Sequence, residues 1–85
     1  MQELKYVITD EMGLHARPAG QLVKVAMGFK SDIQLGTPSK MVNAKRIMGV
    51  MGLAIKRGEE LIITLSGDDE KEAYGALEAF LKANL

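Results

Sequence analysis

The chain has 85 residues, room for one domain (1–85), and its eleven Lys and Arg balance eleven Asp and Glu for a net charge of zero. With no cysteine and one histidine, a disulfide framework, thiolate catalysis and a cysteine or multi-histidine metal site are excluded. No apolar run approaches the ~20 residues of a membrane span, and Met1-Gln2-Glu3-Leu4-Lys5 lacks the basic-then-apolar order of a signal peptide, so a cytoplasmic protein with no membrane insertion is expected.

From Glu3 to Thr9, apolar Leu4, Tyr6 and Ile8 alternate with polar Glu3, Lys5 and Thr9, the period of a strand with one buried face. Asp10 to Leu14 includes Gly13 and reads as a loop. From Ala16 the period changes: Ala16, Ala19, Leu22, Val23, Ala26 and Met27 mark one face of a helix that Gly28 ends. Residues 32–44 read as a hairpin, with Ile33 and Leu35 on one strand, a turn at Gly36-Thr37-Pro38-Ser39, and Met41-Val42 returning. Ile47 to Ile55 is apolar but carries Gly49 and Gly52, and a short helix is the expectation there.

Glu60 to Ser66 alternates Leu61, Ile63 and Leu65, a second clear strand. Asp68 or Asp69 then caps a last helix, and Asp69 with Glu72 has the spacing of a capping box. Ala73, Ala76, Leu77, Phe80, Leu81 and Leu85 form its apolar stripe. The order β-α-β-β-α-β-α predicts an α+β domain in which helices cover one face of an antiparallel sheet. Charge is uneven along the chain. Through Arg57 nine basic residues face four acidic ones, and beyond it two face seven, a split of +5 and −5. The split predicts an oriented surface unless folding interleaves the two groups.

The lone histidine sits in Gly13-Leu14-His15-Ala16-Arg17-Pro18-Ala19, where the loop meets the first helix. Proline is tolerated in a first helical turn, because amides there have no helical partner, so Pro18 puts His15 at or just before the helix start. The unpaired amides and the helix dipole favour an anion, and Arg17 adds a cation whose donors match phosphate oxygens. The pattern suits an imidazole nucleophile beside a seat for a phosphoryl group. The plainer alternative is a histidine that only caps the helix, with Arg17 solvated.

That segment, followed by Val42-Asn43-Ala44-Lys45 and Ile47-Met48-Gly49-Val50-Met51-Gly52-Leu53, closely resembles the HPr family, the histidine-containing phosphocarriers of the bacterial sugar phosphotransferase system. The resemblance runs over essentially the whole chain. It implies a four-stranded antiparallel sheet of order 1-4-2-3 with three helices on one side, and no cofactor. His15 falls on the family's phosphorylated histidine, which accepts a phosphoryl group on Nδ1 from phosphorylated Enzyme I, itself charged by phosphoenolpyruvate, and passes it to Enzyme IIA domains. Arg17 matches the arginine beside the phosphoryl group. Ile47, Met48 and Met51 match the apolar surface on which both partners dock, with Ala16 and Gly20 at its edge. Many members have alanine where this chain has Gly20.

One departure concerns regulation. Where members from low-GC Gram-positive bacteria carry a kinase-target serine, this chain has Arg46, so no control by an ATP-dependent serine kinase is expected. An arginine opposes the dipole at that helix start, which suggests a contact role or simple solvation.

Two functional readings follow: a carrier relaying phosphate between larger enzymes without turning over a small molecule, or a regulatory module of the same fold acting by contact with a partner protein. The presence of both His15 and Arg17 favours the carrier. With four aromatic residues in all, the basic residues Lys40, Lys45, Arg46, Lys56 and Arg57 do not make a nucleic-acid surface. Methionines at helical spacing usually fill cores. Yet every position from Ile47 to Gly52 is apolar or glycine, so this short helix must expose some of them. Met48 is expected to face outward and Ile47 or Val50 inward, with Lys24, Lys45 and Arg46 supplying positive charge around the patch. A monomer is expected.

Overall fold

The structure, a computed structural model, describes all 85 residues. Strands β1 (Gln2–Val7), β2 (Asp32–Thr37), β3 (Lys40–Asn43) and β4 (Glu60–Ser66) and helices α1 (Ala16–Met27), α2 (Ile47–Met51) and α3 (Glu70–Asn84) follow the expected β-α-β-β-α-β-α order. All pairings are antiparallel and the strand order is β1-β4-β2-β3. β4 therefore lies between β1 and β2, which are distant from it in sequence.

The register explains why this order is stable. Ile63 stands opposite Leu4 of β1 on one side and Leu35 of β2 on the other, and Leu65 stands opposite Ile33. These side chains share one face of the pleat and are buried with Leu61, while Lys5 on the other side of β1 is exposed. A one-residue slip would move the whole row into water. The helices cover this face with Ala19, Leu22, Val23 and Ala26 of α1, Val50 of α2, and Ala73, Leu77 and Leu81 of α3. No helix is long and apolar enough to cross a membrane.

Several local expectations need correction. Ala16 and Met27 lie at the two ends of the predicted α1 stripe, beyond the reach of the sheet, and both are exposed. Only Pro38 and Ser39 separate the hairpin strands, since Gly36 and Thr37 still pair across them. The apolar segment after Arg46 is helical for only five residues, ending at Met51.

The largest correction concerns the start of α3. Asp69 is its N-cap residue but its carboxylate makes no capping bond. It turns back toward β2 and accepts the backbone N–H groups of Lys30 (2.7 Å) and Ser31 (2.9 Å) and the Ser31 hydroxyl. Glu72 therefore has no capping box to complete. Glu70 fills in differently, accepting the Gly67 N–H at 3.1 Å. Gly67 itself has φ +156°, and a Cβ there would lie 2.7 Å from Ser31 Cα, so the close approach of these segments requires glycine.

Candidate functional site

His15 is the N-cap residue of α1, with extended backbone (φ −100°, ψ −176°). Its carbonyl accepts the first helical bond from the Ala19 N–H at 2.9 Å, whereas its side chain makes no capping bond. The plain capping reading is thus set aside. Pro18 has no N–H, and the Ala16 and Arg17 amides precede the first helical bond, which leaves two donors at the helix start beside the imidazole. The ring is about one-third exposed. Its Nε2 lies 3.6 Å from Asp10 Oδ2, and Nδ1 has no hydrogen-bond partner in the chain. Arg17 is exposed and forms no ion pair, so its guanidinium is available to an incoming anion.

The loop before His15 is held from below. Gly13 adopts φ +66°, and a Cβ on it would land on the Ile55 carbonyl oxygen. The Leu14 N–H donates to that same oxygen at 2.8 Å, and buried Leu14 anchors the loop in the core. His15 is thereby a surface residue on a fixed support.

α2 packs beside α1 and brings the apolar residues near it. Val50 is fully buried, Met48 is 80% exposed, and Met51 and Ile47 are 44% and 37% exposed. Of the two inward candidates, Val50 is the one that turns in. All six methionines of the chain lie on the surface and none joins the core, Met12 in the loop ahead of His15 among them. Gly20 is half-buried in mid-helix with open space where a Cβ would be. Lys24 is exposed in the last turn of α1. Lys45 is less free than expected, since its ammonium donates to the Phe29 carbonyl at 2.7 Å and clamps the end of α1.

Arg46 is the N-cap residue of α2, exposed and without a side-chain capping bond. A shallow depression lined by Asn43, Lys45, Arg46, Ile47 and Met48 lies there and does not include His15. Ion pairing leaves the charge split largely intact. Lys5 pairs with Glu3 and Lys82 with Glu78, each within its own part of the chain, and no lysine or arginine of the basic part pairs with a carboxylate of the acidic part.

Residues 2–83 match the family model described as the PTS HPr component phosphorylation site. This chain belongs to the HPr family. It is 43% identical over 81 residues to the phosphocarrier protein HPr of Lysinibacillus sphaericus, a match covering 95% of this chain and 92% of that protein. The crystal structure of HPr from Thermoanaerobacter tengcongensis superposes with a TM-score of 0.91 at 41% identity, covering 98% of this chain and 93% of that one. The catabolite-repression HPr of Bacillus subtilis, Crh, matches with a TM-score of 0.76 at 40% identity, over 100% of this chain and 98% of that one, and its crystal form is a domain-swapped, intertwined dimer. The chain is accordingly a phosphocarrier of the phosphotransferase system and not a turnover enzyme.

Asp10 and Met12 escaped the sequence reading. Asp10 is one residue of an unremarkable loop in the sequence, and only the turn at Gly13 folds its carboxylate back toward the ring five positions on.

Proposed function

We propose that this protein accepts a phosphoryl group on His15 Nδ1 from phosphorylated Enzyme I and passes it to Enzyme IIA domains, acting as a monomer in the cytoplasm. The observation that carries this reading is a free Nδ1 on the residue that starts α1, where the Ala16 and Arg17 amides and the Arg17 guanidinium are also without partners. The Nδ1 lone pair attacks phosphorus as the bond to the donor breaks. The donors at the helix start and Arg17 then hold the phosphoryl oxygens. Because the site is at the surface, the same face can meet a donor and then an acceptor. Ile47, Met48 and Met51, with Ala16, Gly20 and Lys24, form the docking surface in this reading, and unpaired positive charge steers acidic partners to it.

The test is incubation with Enzyme I and phosphoenolpyruvate. An acid-labile, base-stable phosphate that is absent from His15→Ala supports the carrier. Undiminished labelling of His15→Ala overturns it, and a folded wild-type protein that is never labelled favours the regulatory contact module. Sedimentation separates the monomer from an intertwined dimer of the kind seen in Crh. Arg46 offers no acceptor hydroxyl, so ATP and a serine kinase should leave the protein without stoichiometric phosphoserine.

A further inference from the structure

Asp10 is held on both sides. The Leu85 backbone oxygen accepts the Thr9 N–H (2.7 Å), the Asp10 N–H (2.9 Å) and the Thr9 hydroxyl (2.8 Å), fixing the chain just before the loop. Asp10 then closes the turn with its own acceptors, its carbonyl taking the Gly13 N–H at 3.0 Å and Oδ2 taking the Met12 N–H at 3.2 Å. The carboxylate cannot swing away without giving up the Met12 bond. Its one charged or chargeable partner is His15 Nε2, at 3.6 Å.

From this geometry we infer that Asp10 is a positioning residue for His15, holding the imidazole proton on Nε2 so that the lone pair resides on Nδ1. A neutral imidazole carries its proton on one nitrogen and a lone pair on the other, and a carboxylate only accepts. Asp10 therefore favours the tautomer with Nε2–H facing it. At 3.6 Å the resting contact is electrostatic, and a small ring rotation converts it to a hydrogen bond, as resting catalytic contacts commonly tighten in the reacting complex. The inference rests on the reading of His15 as acceptor. When the Nδ1–P bond forms and the donor departs with its electron pair, Nε2 keeps its proton and the ring gains positive character that the Asp10 carboxylate stabilises. When the phosphoryl group moves on, the electron pair of the N–P bond returns to Nδ1, and no proton has to leave Nε2 in either direction.

The experiment compares wild type, Asp10→Asn and Asp10→Ala with 15N-labelled histidine at alkaline pH, reading the tautomer from long-range proton–nitrogen correlations. Asp10→Asn keeps an acceptor for the Met12 N–H but not the charge. Wild type should show the Nε2–H tautomer, whereas Asp10→Asn should gain Nδ1–H tautomer with the exchange protection of the Met12 amide unchanged. Phosphorylation by phosphorylated Enzyme I should slow about tenfold, the low end of what losing a hydrogen bond to a charged group costs. Asp10→Ala should lose the tautomer preference and the Met12 protection together. If Asp10→Asn keeps the wild-type tautomer, or changes it without slowing transfer, Asp10 only holds the turn and the inference is wrong. A wild-type protein that takes no phosphoryl group would overturn the carrier reading, while the tautomer comparison would still stand or fall by itself.

Discussion

The Leu14 N–H and the Ile55 carbonyl, 2.8 Å apart, tie the loop carrying His15 to the segment that leaves α2. The loop carrying His15 and the apolar segment that follows α2 thus share one backbone anchor. Gly13 sits over the same carbonyl with φ +66°. Gly13→Ala would strain the left-handed backbone and drive a methyl into that oxygen, for a loss of more than about 1–2 kcal/mol. Chemical denaturation should show the loss, and amide shifts should change at both Leu14 and Ile55.

Gly20 presents the opposite case. Helix interiors disfavour glycine by roughly 0.5–1 kcal/mol relative to alanine, and nothing occupies the space a Cβ would take. Gly20→Ala should raise the melting temperature by several degrees. A lower melting temperature would mean that a methyl at this position has no free space beside the helix.

Removing the Arg17 guanidinium removes one charge-assisted contact and leaves the helix amides in place. Under chemistry-limited conditions Arg17→Ala should transfer phosphate more slowly by roughly 1–3 kcal/mol in the barrier, with the product still on His15. Wild-type rates would show that the guanidinium is only solvated.

The Ser31 hydroxyl, followed by the Lys30 and Ser31 amides, holds the Asp69 carboxyl below the usual carboxylate pKa. A carboxylate with a depressed folded-state pKa stabilises the fold above its unfolded value, near 3.8, and loses that contribution as pH falls through the folded value. Asp69→Asn should therefore be less stable than wild type at neutral pH, and the gap should close in strong acid. A gap that persists unchanged at low pH would trace it to shape and not to charge.

Much of this architecture is readable from periodicity. β4 and α3 show their inward residues directly, as Leu61, Ile63 and Leu65 at steps of two and Ala73, Leu77 and Leu81 at steps of four. α2 is ambiguous because Gly49 and Gly52 weaken helix and strand alike. The Asp69 contact is invisible to spacing, since a cap is judged within four residues and its partners lie 38 and 39 positions away. His15 and Arg17 stand out because Pro18 marks the helix start, whereas the Asp10 contact depends on how Gly13 folds the loop. Arg46 is legible as a missing hydroxyl, but its surroundings needed the fold.

Met48 has too little buried surface to matter much for folding. Met48→Asp should barely shift the melting temperature while weakening association with both donor and acceptor by up to a few kcal/mol. Added salt should slow wild-type association by screening the basic surface. If the variant unfolds and its folded remainder transfers normally, the docking surface lies elsewhere.

The confinement of all six methionines to the surface sets how this molecule meets oxidants. A peroxide converts an accessible thioether to a sulfoxide, polar where the side chain was apolar. With no sulfur in the core, such a lesion leaves the fold standing. It falls instead on surface thioethers, Met48 and Met51 among them, so on the docking surface proposed above mild oxidation should give a protein that melts normally and docks poorly, and reductase repair of the sulfoxides should restore docking without refolding.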